Sequence, residues 1–163
     1  MHDNAPAPRL SVVIPCHDYA RFLPRLCAAL AAQTLPPATW EVVLADDGST
    51  DGSADTARSL LPDLGCAGWN VLELPHGGSP GRTRNAGIGA SRGEHVVCLD
   101  PDDVPLPAFL ASLLALLEAG ADVASCDYFE VEPDGTARLI SLPWFDPELL
   151  RTQNILAPTA MFR

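Results

Sequence analysis

Short apolar runs alternate along this chain with segments of helical periodicity, and this alternation restricts the possible folds more than any other feature. Runs rich in apolar residues predict buried strands at 10–14, 40–45, 71–74 and 94–99. Apolar spacing and capping signals predict helices between them at about 19–33, 52–61 and 79–91. This β-α-β-α-β-α-β order predicts an α/β fold with a mostly parallel sheet and helices on both faces.

The remaining segments predict a further helix, a hairpin and a tail. Pro107 is expected to open a helix that stops at Gly120, and strands are expected at 121–131 and 137–142. Residues 1–9 are polar and contain proline, which predicts a flexible N-terminal tail. One domain is therefore expected over residues 10–163.

The composition excludes several classes of function. A formal net charge of −11 argues against nucleic acid or an anionic membrane surface as the main partner. All ten basic residues are arginine, so the lysine of P-loop ATPases and Schiff-base chemistry are both missing. The five cysteines show no C-x-x-C spacing, and no apolar run is long enough to span a membrane. With no signal-peptide core at residues 1–9, these features predict free thiols and a cytoplasmic location.

Polar residues cluster where the predicted strands end, which is where parallel sheets bind ligands. The four clusters lie at 15–18, 46–49, 76–84 and 100–103. The last contains Asp100, Asp102 and Asp103, whose charges repel one another unless a cation or hydrogen bonds relieve them. Carboxylate oxygens suit Mg²⁺ or Mn²⁺, particularly a metal that also binds phosphates. An acidic, solvated turn that caps the next helix is the alternative, and the convergence of four strand ends favours the metal.

Two other strand ends have both a structural and a functional interpretation. Asp46 and Asp47 could accept the imide N–H of a uracil or bond a ribose hydroxyl, or they could cap the following helix. Arg82 and Arg84 lie at the start of a helix, where the backbone favours an anion such as a diphosphate. Their alternative is a solvated helix face with ion pairs.

His17 follows the first strand directly. It could stack on a base or be an ordinary polar loop residue. Metal ligation is the least favoured role because no partner His or Cys has suitable spacing, and the other three histidines form no motif.

Together these segments resemble the family-two glycosyltransferases with the GT-A fold. The resemblance covers roughly residues 10–118, and the matching segments are Ser11–Pro15, Gln33-Thr34, Trp40–Val43, Asp46–Gly52, Gly81, Arg84–Gly87, Ala90, Gly93-Glu94 and Leu99–Asp103. It implies a Rossmann-like GT-A sheet and transfer of a sugar from a nucleotide-diphosphate donor, usually with inversion. The acceptor, which could be a glycan, a lipid or a protein, is left open.

The resemblance also implies roles for individual residues. Asp100-x-Asp102 looks like the family's Asp-x-Asp signature for Mg²⁺ or Mn²⁺, with Asp102 the direct ligand and Asp100 on ribose or metal. Asp47 corresponds to the carboxylate that meets the base, and Arg84 to the arginine that helps hold the nucleotide. The expected nucleotide-sugar site is Pro15, His17, Asp18, Asp46, Asp47, Gly48, Ser49, Gly81, Arg84, Asn85 and Asp100, with Asp100 and Asp102 at the metal.

The chain departs from the family pattern in two ways. The usual Pro-x-Tyr-Asn loop reads Pro15-Cys16-His17-Asp18, which leaves the choice between UDP and GDP open. The family's general base on the acceptor hydroxyl belongs to an acceptor-binding half expected beyond Arg163, so no residue is assigned to that role. A non-catalytic nucleotide-sugar-binding or scaffold domain is therefore an alternative. A nucleotidyltransferase-like enzyme is disfavoured by the missing lysine and by the absence of a Gly-rich loop after the first strand.

Overall fold

The computed structural model describes residues 7–153, 155–157 and 159–163. Its strands are β1 (Leu10–Cys16), β2 (Trp40–Asp46), β3 (Gly68–Glu73), β4 (His95–Cys98), β5 (Val123–Ala124), β6 (Tyr128–Val131), β7 (Ala137–Ile140) and β8 (Met161–Phe162). Its α-helices are α1 (Leu23–Ala31), α2 (Ser53–Leu60), α3 (Pro80–Gly89), α4 (Phe109–Glu118) and α5 (Pro147–Leu150).

Six strands form one sheet in the order β3-β2-β1-β4-β8-β5. The first four are parallel to one another, whereas β8 runs antiparallel to both β4 and β5. β6 and β7 form a separate antiparallel hairpin. The parallel sheet and the hairpin are confirmed. The segment 121–131 is two short strands in different sheets rather than one.

Helices cover both faces of the sheet, as predicted. The face that carries Val12 and Ile14 packs against α1, α2 and α4 in the larger core. The opposite face carries Val13 and Val43 and packs against α3. A Cβ built on Gly87 would lie 2.5 Å from Cγ1 of Val13, so this glycine allows α3 to approach the sheet closely.

Strand β1 continues two residues further than predicted. Pro15 does not end it, because β4 stops opposite Val13, where the N–H of Leu99 donates to the Val13 carbonyl at 2.9 Å. Pro15 lies two residues further along the same edge, past the last β4 pairing, so the ladder does not need its missing N–H. On its other side, β1 pairs with β2 as far as Cys16 and Asp46.

The helix starts differ from the predictions in instructive ways. α1 begins at Leu23 rather than Tyr19, because the N–H groups of Tyr19 and Ala20 donate to Ser53 and Asp51. α2 is capped by Gly52, at φ 84°, and not by the side chain of Asp46 or Asp47. The cap of α3 is as predicted: Ser79 accepts from the N–H of Arg82, and Pro80 is the first helical residue.

Buried polar contacts fix the segment that follows residues 100–103, which we call the acidic turn. The Gln33 amide donates to the carbonyl of Leu106 at 2.9 Å, and its oxygen accepts from the N–H of Leu110 at 3.0 Å. Gln33 therefore ties the end of α1 to the start of α4. α4 itself begins at Phe109, two residues after the predicted Pro107, and Gly120 ends it at φ 107°.

Residues 1–6 of the predicted tail lie outside the described residues. Arg9 already joins the sheet at the amino end of the central strand β1, since its N–H donates to Thr39 at 2.8 Å and its carbonyl accepts from His95 at 3.1 Å. Within the part of the chain that the structure describes, no helix has the length and apolarity needed to cross a membrane.

Candidate nucleotide-sugar site

An open cavity of about 260 Å³ lies at the carboxyl ends of β1, β2 and β4. Segments from all four predicted strand ends line it, which confirms that they converge on one crevice. The lining residues are Pro15, Cys16, His17, Tyr19, Asp47, His76, Gly78, Ser79, Pro80, Thr83, Arg84, Asp100 and Pro101.

The acidic turn forms one wall of this cavity. Nη2 of Arg84 lies 2.6 Å from Oδ1 of Asp100, which joins α3 to the end of β4. Burial, together with the charges of Asp100 and Asp102, raises the pKa of Asp103. The charge of Asp102 is also the largest cause of a raised pKa of Tyr19, a cavity residue. Negative charge is therefore concentrated at this wall.

Asp47 is buried at the end of β2, with its side chain 7% exposed. Its two carboxylate oxygens accept the N–H groups of Gly77 and Gly78, both at 2.9 Å. Burial alone would raise the pKa of Asp47, but these two hydrogen bonds and the nearby rings of His76 and His17 lower it overall. The carboxylate is thus ionised, and it fixes the loop between β3 and α3.

The other acidic residue of this turn has a local role. Asp46 accepts from both the N–H and the hydroxyl of Ser49, which closes a tight turn after β2. Gly48 adopts φ +70°, and a Cβ there would lie 2.9 Å from the backbone nitrogen of His76. Asp46, Gly48 and Ser49 therefore shape the site and do not line the cavity.

Asp18 also makes a structural contact. It adopts φ 58°, and its carboxylate accepts the N–H of Thr50 at 2.7 Å while its own N–H donates to Ser49 at 2.9 Å. These contacts join the loop after β1 to the loop after β2. Asp18 is exposed and lies outside the cavity lining.

A histidine pair that has no signature in the sequence lies beside Asp47. The rings of His17 and His76 stack with centroids 4.4 Å apart and planes at 25°. Each Nδ1 lies 2.9 Å from the main-chain oxygen of Asp47. His76, which forms no motif in the sequence, is therefore a neighbour of His17 in the fold, and one nitrogen of each ring and an Asp47 oxygen make a candidate cluster for a metal.

The predicted site residues thus divide into two groups. Pro15, His17, Asp47, Arg84 and Asp100 line the cavity. Asp18, Gly81, Asn85 and Asp102 are exposed and lie outside its lining. The three residues of the β2 turn described above also lie outside it.

A mostly parallel sheet with helices on both faces and a cavity at its strand ends is the arrangement of a GT-A fold. The chain belongs to glycosyl transferase family 2, whose sequence profile matches residues 11–162. It is similar to the S. aureus TarS fragment 1–349 in complex with UDP, with a TM-score of 0.76 at 23% identity over 95% of this chain. A mannosyltransferase from Pyrobaculum calidifontis in complex with GDP-Man and Mn²⁺ has a TM-score of 0.66 at 24% identity over 79% of this chain. At these identities, the two structures support the fold.

Sequence relatives come from several bacteria. An uncharacterised glycosyltransferase of Nostoc is 32% identical over 76% of this chain, and the succinoglycan biosynthesis protein ExoO of Rhizobium meliloti is 31% identical over 95%. This chain spans 37% and 43% of those relatives, 46% of the TarS fragment and 37% of the mannosyltransferase. It thus corresponds to less than half the length of each protein compared.

Proposed function

We propose that this chain binds a nucleotide-diphosphate sugar in the cavity at the strand ends and serves a metal-dependent, inverting glycosyl transfer. The observation that carries the proposal is the arrangement of Asp47 and His17 in the same cavity as Arg84 and Asp100. Groups suited to a base and groups suited to a diphosphate and its metal are thus within reach of one ligand. Family membership supports the same reaction class.

The acidic turn has the donor set that Mg²⁺ or Mn²⁺ requires. Arg84 contacts Oδ1 of Asp100, which leaves Oδ2 as a possible ligand, and Asp102 is exposed at the same turn. Mg²⁺ usually takes one or two carboxylates and completes its shell with substrate phosphates and water. Asp100 and Asp102 fit this pattern. Burial is the largest cause of the raised pKa of the neighbouring Asp103, and the charges of Asp100 and Asp102, which a cation would relieve, add to it. When bound, the metal would stabilise the charge that develops on the leaving diphosphate.

Arg84 supplies a positive charge beside these carboxylates. A guanidinium forms paired hydrogen bonds with phosphate oxygens, so Arg84 is assigned to the diphosphate while remaining close to Asp100. It is the cavity's arginine, whereas Arg82 of the same helix lies over Gly77, outside the cavity lining. The diphosphate is therefore assigned to Arg84 alone, rather than to both Arg82 and Arg84 as the sequence suggests.

The nucleobase of the donor is assigned to the region of His17 and Asp47. A carboxylate has about four acceptor positions, and the N–H groups of Gly77 and Gly78 use one on each oxygen of Asp47. Remaining lone pairs can accept an imide N–H, and the His17 ring, 42% exposed in its side chain, can stack on the base. UDP and GDP both stay candidates.

Isothermal titration calorimetry with UDP and GDP tests this proposal. We expect one of them to bind in the presence of Mn²⁺ or Mg²⁺, with affinity reduced at least tenfold by EDTA. UMP and GMP are matched controls, because they lack the second phosphate and should depend little on the metal. Absence of heat with every nucleotide would refute the proposal.

Acceptor and general base are assigned to no residue of this chain. The acceptor stays a glycan, a lipid or a protein, and no described residue is proposed as the general base that would activate its hydroxyl. We also propose a cytoplasmic setting, which the five free cysteines support.

A further inference from the structure

His17, His76 and Asp47 bring together three groups that bind transition metals. One ring nitrogen from each histidine and one Asp47 carboxylate oxygen all lie within 4.8 Å of one another. Nδ1 of His76 is 3.4 Å from Oδ2 of Asp47, and both Nδ1 atoms approach the Asp47 main-chain oxygen. The three side chains therefore converge on one small volume.

The surrounding backbone fixes this arrangement. Hydrogen bonds from Gly77 and Gly78 orient the Asp47 carboxylate, in the manner of outer-shell contacts at metal centres. Gly48 lets the backbone of His76 approach to a distance that a side chain at position 48 would block. Only the two imidazoles are free to adjust, since 42% of the His17 side chain and 56% of the His76 side chain are exposed.

We propose that these three residues form a second metal site, selective for a borderline transition metal such as Zn²⁺, whose occupation blocks the nucleotide cavity. Two imidazoles and one carboxylate are typical zinc ligands, whereas Mg²⁺ prefers oxygen alone. With Zn–N bonds of about 2.0–2.1 Å, tetrahedral geometry places two ligand nitrogens roughly 3.3 Å apart. To reach this separation, the two exposed rings would rotate out of their stacked positions and away from the Asp47 main-chain oxygen.

Blocking follows from the position of the ligands. All three residues line the cavity assigned above to the nucleotide, so a bound zinc ion would remove the stacking ring of His17 and the acceptor oxygens of Asp47 from the base. Zinc binding itself is independent of the proposed function, whereas the blocking effect rests on the proposed function. The acidic turn keeps its separate role with hard cations.

Zinc titration of the purified chain tests the site, with Co²⁺ as a spectroscopic substitute. A Cys66→Ser, Cys126→Ser background removes the two partly exposed thiols, and absence of thiolate-to-cobalt charge transfer confirms nitrogen and oxygen ligation. We expect one Zn²⁺ per chain and at least a tenfold loss of affinity in His17→Ala and in His76→Ala. Asp102→Asn, at the acidic turn, should bind zinc as the parent does. Circular dichroism verifies that each variant folds.

The outcomes separate the two proposals. Zinc affinity that is unchanged in both histidine variants, or lost in Asp102→Asn, overturns the second site. Zinc that lowers UDP or GDP affinity in the parent chain but not in His76→Ala supports the blocking effect. Histidine-dependent zinc binding by a chain that binds no nucleotide supports the metal site and refutes the proposed function. Zinc and nucleotide that bind together without mutual effect overturn the blocking.

Discussion

The guanidinium of Arg84 and the carboxylate of Asp100 form an ion pair at 2.6 Å across the wall of the cavity. Their side chains are 31% and 37% exposed, so solvent screens the pair and its contribution to stability is small. The pair instead places a cation beside the carboxylates of the acidic turn. A diphosphate entering the cavity would meet both Arg84 and the metal assigned to this turn.

Replacing Arg84 by alanine should weaken nucleoside-diphosphate binding much more than it lowers stability. A hydrogen bond to a charged group contributes about 1.5–3 kcal/mol, which corresponds to a loss of roughly 10- to 150-fold in affinity. Calorimetry with UDP or GDP in Mn²⁺ measures the loss. Arg82→Ala is the matched control on the same helix and should change affinity less than threefold. Equal losses in the two variants would contradict the assignment of Arg84.

Asp102→Asn should remove the metal dependence of nucleotide binding. Its side chain is exposed at the acidic turn, and the amide that replaces it has lost the charge that a hard cation requires. We expect affinity in Mn²⁺ to fall to the value measured in EDTA, with little change in Tm. Asp63→Asn repeats the substitution at another exposed site and should behave as the parent. Metal-stimulated binding that persists in Asp102→Asn would refute the role of this residue.

Acid stability should depend on Asp47. Its pKa is lower in the folded chain than in the unfolded one, so the unfolded state binds more protons as pH falls. The stabilisation from this carboxylate is therefore fully present above the unfolded pKa of about 4 and decreases as pH falls through the folded pKa. Asp47→Asn should be less stable than the parent at pH 7, and the difference should narrow below about pH 4.

Urea denaturation between pH 3 and pH 7 measures this effect, with Asp63→Asn as the control for a change of net charge. Hydrogen exchange gives a local readout, because the amides of Gly77 and Gly78 donate to Asp47. They should exchange faster in Asp47→Asn. A stability difference that stays constant across this pH range would contradict the proposed cause.

The parallel sheet could be predicted from the sequence because buried parallel strands are continuous apolar runs. β1, β2 and β4 were recognised in this way. β3 begins at Gly68, three residues before its predicted start, because Gly68, Trp69 and Asn70 lack an apolar pattern and join the sheet through pairing with β2. Periodicity could not detect β8, since only two residues pair with β4 and β5, although the segment 154–163 resembles a strand of the family.

The rule that parallel sheets bind ligands at their strand ends led to the cavity, but it could not distinguish residues that line the cavity from residues that shape it. Asp46 and Asp47 are adjacent in sequence, yet one closes a turn with Ser49 and the other reaches the cavity. His76 lies 59 positions from His17, and only the fold makes them neighbours. The sequence signal for this loop was the Gly77-Gly78 pair after His76, whose backbone N–H groups donate to the Asp47 carboxylate.

Two glycines of α3 should respond in opposite directions to the same substitution. Gly87→Ala would place a Cβ 2.5 Å from Cγ1 of Val13, which forces α3 away from the sheet. Overpacking of this kind costs about 1–3 kcal/mol in the free energy of unfolding. A Cβ at Gly89 meets nothing within 4 Å, so Gly89→Ala should stabilise the helix by roughly 0.5–1 kcal/mol. Urea denaturation measures both changes.

Because α3 also carries Arg84, Gly87→Ala should weaken nucleotide binding. A stable Gly87→Ala variant with unchanged affinity would refute this packing account.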